Sequence, residues 1–316
     1  MSPPARTGAR QLLSPELLTR LESLQLRARI AADGALTGLH KSPHHGASVE
    51  FAEHKEYAPG DEIRHIDWRV FAKSDKYYVK RFEQETNLDA TILIDASASM
   101  RYRSPDAVGS KWDYAATTAA SLAHLLLRQQ DAVGMIIGSE RVDVWVPPRS
   151  RYTHLMHLCE LLVRNAPKPE ASTNLLAGAT HLLEVSRRRG LVFVISDFLD
   201  PDPHFFNVLK QLRSRRYQVF MLQILDPWEL TFPFDDMTVF KSLESGREIL
   251  AEPRVIREAY LKGMNEFVRD LRTRSLAARL EYRLLSTDEP LMGALTDFIS
   301  GRPQERFARK VGAHGV

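Results

Sequence analysis

Thr91-Ile92-Leu93-Ile94-Asp95-Ala96-Ser97-Ala98-Ser99-Met100 is the stretch on which the reading of this chain turns. From Leu88 to Ile94 the side chains, Asp89 apart, are apolar or β-branched on both parities, with no helical stripe. That pattern predicts a strand buried on both faces of a parallel sheet. Asp95 then stands at the strand's carboxyl end. Open α/β sheets bind ligands there, because loops, unpaired backbone groups and helix N-termini converge on a crevice. The D-x-S-x-S sequence places one carboxylate and two hydroxyls where they can surround a divalent cation. Its plain structural reading is an N-cap for the turn that follows.

Two other stretches bear on that choice. Ser172-Thr173-Asn174-Leu175-Leu176 opens a helical segment with an exposed hydroxyl, and Leu191-Val192-Phe193-Val194-Ile195-Ser196-Asp197 repeats the pattern of a buried strand ending in aspartate. Taken in order, D-x-S-x-S, threonine and aspartate resemble the metal-ion-dependent adhesion site of von Willebrand factor A domains. The resemblance implies that Ser97, Ser99 and Thr173 touch the ion directly or nearly so, while Asp95 and Asp197 hold it partly through waters. Hydroxyls, carboxylates and retained waters are hard oxygen donors that suit octahedral Mg²⁺, with Mn²⁺ or Ca²⁺ as alternatives. An acidic side chain of a partner protein could fill the open position.

The rest of the chain reads as alternating strands and helices. Lys111 to Gln130 carries Ala115, Ala119, Leu122 and Leu126 at helical spacing, and Ala132 to Ile137 is a short apolar strand with which the alternating Arg141 to Val146 pairs. Tyr152 to Val163, Leu175 to Arg188 and Phe205 to Arg215 read as helices, Gln218 to Leu225 as a strand and Leu280 to Leu284 as a possible last one. Such alternation implies right-handed crossovers. The fold class is therefore α/β, a doubly wound, mainly parallel sheet spanning residues 88–301, with a smaller N-terminal helix-plus-β unit over 1–87 and a tail over 302–316. In that arrangement the strands ending at Asp95 and Asp197 are neighbours at the topological switch point.

In the N-terminal unit, Ser14-Pro15-Glu16 marks a helix start, and Leu17, Leu18, Leu21, Leu24 and Ile30 make one apolar face ending at Gly34. Docking on the α/β domain through Leu17, Leu21 and Trp68, with the metal face left open, is the expectation. Val49 to Phe82 suits short strands and turns, with Pro59-Gly60-Asp61 as a turn signal. Gly46 to Phe51, Tyr57-Ala58-Pro59-Gly60-Asp61-Glu62-Ile63-Arg64-His65-Ile66-Asp67-Trp68 and Tyr77 to Glu85 resemble the signature of the bacterial "domain of unknown function" family numbered fifty-eight, over residues 36 to 240 or so. Its members carry a degenerate von Willebrand factor A-like domain and are typically encoded beside MoxR-type AAA+ ATPases, which implies such an ATPase as partner. Gly60, Asp61, Arg64, Asp67 and Trp68 read as a turn locked by an Arg-carboxylate pair over an indole, or as a direct partner contact. His40, His44 and His45 lack the Cys or closely spaced carboxylate that would complete a transition-metal set.

Composition narrows the function classes. The 316 residues are 44% hydrophobic and 26% charged with a net charge of only +3, an ordinary globular balance. Arg187-Arg188-Arg189 and Arg213 to Arg216 fall at expected helix C-termini, where cations favour the dipole, and no aromatic-interleaved basic stripe points to nucleic acid. Cys159 is the single cysteine, so no intrachain disulfide forms, and no window nears the roughly 18–20 apolar residues of a membrane span. A cytoplasmic location is the expectation. A haloacid-dehalogenase-like phosphatase needs D-x-D where Ser97 stands, and no phosphate-cradling glycine loop or G-x-S-x-G elbow occurs. The reading is a Mg²⁺-dependent protein-binding module without catalysis, an adaptor or substrate-presenting partner of a MoxR-type AAA+ ATPase in a chaperone-like or assembly role. The alternative is a metal-dependent hydrolase acting on a phosphoester.

Overall fold

The computed structural model describes Leu24, Ala28, the backbone of 48–56 and 78–85, Tyr77, and residues 88–186, 189–199 and 201–299. Leu17, Leu21, His40, His44, His45, Gly60, Asp61, Arg64, Asp67, Trp68 and the 302–316 tail lie outside the described residues. The chain divides into two compact units. One comprises residues 42–88, where β1 (Ser48–Glu56) pairs antiparallel with β2 (Tyr78–Glu85) and the register shifts between Phe51 and Glu53.

The other unit takes in residues 1–41 together with 89–316, and its described regular elements begin at Asp89. Its order is β3 (Asp89–Asp95), α1 (Lys111–Arg128), β4 (Ala132–Gly138), β5 (Val142–Arg149), α2 (His154–Arg164), α3 (Leu175–Val185), β6 (Gly190–Ser196), α4 (Phe205–Ser214) and β7 (Gln218–Leu225). After these come α5 (Pro227–Thr231), the hairpin β8 (Thr238–Lys241) and β9 (Glu248–Ala251), α6 (Pro253–Ala277), β10 (Glu281–Ser286) and α7 (Leu291–Ile299). The central sheet has the order β10-β7-β6-β3-β4-β5, parallel throughout except for β5, which runs antiparallel along β4. This is the doubly wound order, with the switch between β3 and β6.

Alternation along β3 feeds two cores. Ile92 and Ile94 join Ala119, Met135, Ile137, Leu158 and Leu295 in one cluster, while Leu93 joins Ile136, Ala179, Val194, Phe205 and Met221 in the other. Leu24 and Ala28 belong to the first cluster and are almost completely buried. Helix α1 is buried nearly all round, and its Ala115, Ala119, Ala120 and Ala123 let it lie close to its neighbours. It opens on a capping box, with Ser110 Oγ accepting from the Asp113 backbone N–H and Asp113 reaching back to Ser110 N–H. A Cβ at Gly178 would lie 2.5 Å from Leu93 Cδ1, so α3 sits close on β3 and a larger residue there would have to push the Leu93 side chain aside.

The hairpin β8–β9, α6 and α7 have no counterpart in the sequence reading. Helix α6 shows why: of its 25 residues only Pro253, Val268, Leu271 and Ser275 are buried, too few to print an apolar stripe. Among the described residues no helix is long and apolar enough to cross a membrane.

Candidate metal centre

The register sets the site. Ile94 lies opposite Ile195, which puts Asp95 level with Ser196 and Asp197 one residue beyond. Asp95 is buried, and both its oxygens are engaged: Oδ1 accepts from Ser97 N–H at 2.9 Å, and Oδ2 accepts from Ser196 Oγ at 2.6 Å. Ser196 Oγ in turn accepts from Phe198 N–H at 2.9 Å. Ser97 Oγ and Ser99 Oγ share a hydrogen bond at 3.0 Å, and Ala98 to Arg101 wind into a single 3₁₀ turn. Phe198 holds a left-handed φ of 55°, unusual for an aromatic residue, and the turn lets Leu199 N–H donate to Asp197 Oδ1 at 3.1 Å. Backbone in that region costs on the order of 1–3 kcal/mol, which the surrounding packing must offset.

Asp197 has a partner that the sequence did not announce. Lys111 Nζ donates to Asp197 Oδ2 at 2.8 Å and to Glu229 Oε1 at 2.7 Å, and its side chain is fully enclosed. Glu229 Oε2 is fixed by Asp226 N–H at 2.8 Å, part of the capping box of α5. Burial alone would lower the Lys111 pKa, but Asp197 and Glu229 more than reverse this and hold it above the ordinary lysine range. Burial, with a smaller repulsion from Asp197, raises the Asp95 pKa to about 7. Burial likewise raises Glu229, against the pull of Lys111.

Thr173 comes in from a third loop. The Ala98 N–H donates to the Ala171 carbonyl at 2.8 Å, tying that loop to the D-x-S-x-S turn. Helix α3 is capped by Asn174, whose Oδ1 accepts from Ala177 N–H at 3.0 Å, so Thr173 is left out of capping. Its Oγ1 donates instead to Glu244 Oε1 at 3.1 Å, from the β8–β9 turn. The structure thus joins Asp95, Ser97, Ser99 and Ser196 in one hydrogen-bonded set and places Asp197 beside it. Thr173 is attached through the backbone bond and makes no side-chain hydrogen bond to the other four candidates.

The donor set suits a hard cation. Each carboxylate oxygen of Asp95 and Asp197 accepts one protein hydrogen bond and keeps lone-pair capacity, as do the three hydroxyls. Asp197 and Glu229 share one lysine, and Asp95, raised first by burial and then by the charge of Asp197, is a group that a divalent cation would relieve. Among the described residues no three His, Cys, Asp or Glu side chains form a metal cage, so a cation here would depend on Ser97, Ser99 and Thr173.

Sequence reasoning missed Ser196, Lys111, Glu229 and Glu244. Only Lys111 left a trace, since a cation at the first position of a helix runs against the dipole.

The sequence profile of a family described as "Protein of unknown function DUF58" matches residues 53–267. Over 300 residues, 93% of this chain and 92% of theirs, the chain is 27% identical to uncharacterized proteins of Mycobacterium tuberculosis and Mycobacterium bovis. Among solved structures it is similar to the conserved hypothetical protein BatB of Bacteroides thetaiotaomicron, at 15% identity and a TM-score of 0.43 over 68% of this chain and 98% of that one. An aerotolerance-related membrane protein of Bacteroides fragilis gives 17% and 0.45 over 68% and 99%, and the SpRpn10 VWA domain gives 11% and 0.38 over 67% and 95%. The doubly wound, mainly parallel sheet is the architecture that the sequence reading expected. A match running from β1 into α6 takes in both compact units, and the chain belongs to the DUF58 family of proteins of unknown function.

Proposed function

We propose that this chain is a divalent-cation-dependent protein-binding module, working as an adaptor for a MoxR-type AAA+ ATPase or its client rather than as a catalyst. The observation that carries the reading is the face at the ends of β3 and β6, where Ser97 and Ser99 hydroxyls stand beside a raised Asp95 and a lysine-paired Asp197. Mg²⁺ is the ion of choice, with Mn²⁺ or Ca²⁺ as substitutes, held by Ser97, Ser99 and Thr173 with Asp95 and Asp197 behind them. When bound, the ion would supply an electrophilic position for a partner's carboxylate. The hydrolase alternative draws no support from Lys111, which is turned inward onto Asp197 and Glu229 and offers nothing to a phosphoryl oxygen.

The test is retention of the purified MoxR-type ATPase of the same genome on the tagged full chain, with Mg²⁺ and with EDTA. Retention in Mg²⁺ that is lost in EDTA and in Asp95→Ala is the expected outcome. Equal retention under all three conditions would remove the metal from the reading. Mg²⁺-dependent cleavage of p-nitrophenyl phosphate by the chain alone, abolished in Asp95→Ala, would replace the binding module with the hydrolase.

A further inference from the structure

We propose that a cavity at the amino ends of β7 and β10 is a phosphate site, and that it takes a phosphorylated serine or threonine of a partner protein. The site stands apart from the metal centre and would give an adaptor its second surface. On β6, Leu191 pairs with Gln218 at the start of β7, and Asp197 of the metal face stands at the other end of the same strand, about 20 Å further along. Helix α4 leads into β7 and α6 into β10, and these strands are neighbours, so the two helix C-termini lie side by side. Arg213 Nε donates to the Arg279 carbonyl at 3.1 Å and ties them together. The cavity there measures about 420 Å³ and is lined by Lys210, Arg213, Ser214, Ala277, Ala278 and Arg279.

Three cations line this cavity and no carboxylate does. Among the described residues no ion pair engages Lys210, Arg213 or Arg279, whereas Arg274 nearby in α6 is paired with Asp270 at 2.8 Å. Neither 207–217 nor 271–280 contains an aspartate or glutamate, although the whole chain balances 43 Lys and Arg against 40 Asp and Glu. Glu281, just beyond, is engaged by the Gln218 side chain. The helix dipole favours cations at a C-terminus, but it does not call for arginine in the left-handed position that follows one. Arg216 after α4 and Arg279 after α6 both stand there, at φ of 68° and 55°, where glycine is the unstrained choice. Arg213 uses one of its five N–H groups on the Arg279 carbonyl, which fixes the side chain and leaves the outer edge of its guanidinium for a ligand. Two guanidinium forks and an ammonium suit a phosphate monoester, with nearly two charges and three acceptor oxygens, better than one carboxylate. No aromatic lines the cavity to stack a base, and Ala277 and Ala278 offer a wall for the methylene or methyl of a side chain. A membrane surface would call for several exposed apolar side chains, and in 205–217 and 271–281 Leu276 alone is a large one that is exposed.

The experiment titrates the full chain, at low ionic strength and in EDTA so that the metal face takes no part, with a fluorescein-labelled peptide Gly-Ala-phosphoserine-Ala-Gly and with its serine and glutamate counterparts. Fluorescence anisotropy should show the phosphopeptide binding about tenfold or more tighter than either counterpart, and inorganic phosphate should displace it. Lys210→Gln and Arg279→Gly should each weaken that binding about fivefold or more, the loss expected for one charge-assisted hydrogen bond. Glycine relieves the left-handed φ at position 279, so the urea midpoint of Arg279→Gly should hold or rise; an arginine with a merely structural role would leave peptide binding unmoved. Equal binding of the three peptides, or phosphopeptide binding unchanged in both variants, overturns the proposal. Capture by phosphatidylcholine vesicles containing phosphatidic acid, without binding of the phosphopeptide, overturns the protein partner and assigns the cavity to a membrane. The metal centre is judged separately, by the EDTA-sensitive retention of the ATPase.

Discussion

Asp95 and Lys111 both carry an ionisable group into the interior. Asp95 is ionised only at the expense of desolvation and of repulsion from Asp197, so Asp95→Asn should stabilise the protein in EDTA by about 1–2 kcal/mol. In urea titrations with Mg²⁺ the order should reverse, because the substituted chain has lost an anionic oxygen at the ion. Lys111→Met removes the cation that bridges Asp197 and Glu229 and should cost about 3–5 kcal/mol, as expected when one partner of a buried pair is deleted. Adding Asp197→Asn to it should recover part of that loss, which a double-mutant cycle would measure. Asp95, Ser97, Ser99 and Asp197 stood out in the sequence because they end or directly follow buried strands, and Thr173 because it precedes a helix. Lys111 did not, since its partners lie 86 and 118 positions away and only the folded sheet brings them together.

At the scale of elements, close approach is the recurring constraint. A Cβ at Gly190, the first residue of β6, would collide with the backbone carbonyl of Asp89 on β3, whereas one at Gly178 would meet the movable side chain of Leu93. Gly190→Ala should therefore be the more damaging of the two. We expect a loss of about 3 kcal/mol or more, against about 1–2 kcal/mol for Gly178→Ala, in thermal or urea unfolding. Helix α2 carries Cys159 on its buried face, where burial pushes the thiol up to about 12. Iodoacetamide at pH 8–9 should leave the native protein unmodified and label it once unfolded; rapid native labelling would place Cys159 at the surface. Strands β3, β6 and β7 were readable because they are buried on both faces, and α1 because its small and apolar residues recur at helical spacing. The four-residue strands β8 and β9 have three of their apolar side chains largely exposed, so nothing periodic marked the hairpin that carries Glu244.

For the molecule as a whole, the α/β unit is not continuous in the chain. Leu24 and Ala28 lie in its first core cluster, while residues 42–88 form the second unit between them and β3. Leu24→Ala should therefore lower the stability of the α/β unit by about 2–4 kcal/mol, read from a probe in that unit such as Trp112 fluorescence. A change confined to residues 42–88 would contradict this. The sequence did show an amphipathic segment through Leu24, but the core cluster that receives it is built from residues much later in the chain. That separation has a consequence for how the protein is made. Leu24 leaves the ribosome early, yet its cluster also contains Leu285 and Leu295. At translation rates of about 5–20 residues per second, the interval between Leu24 and Leu295 is tens of seconds. For that time a greasy N-terminal segment waits in the cell for a core not yet synthesised, and the nascent chain must be shielded by a holding factor or risk joining its neighbours on the same messenger.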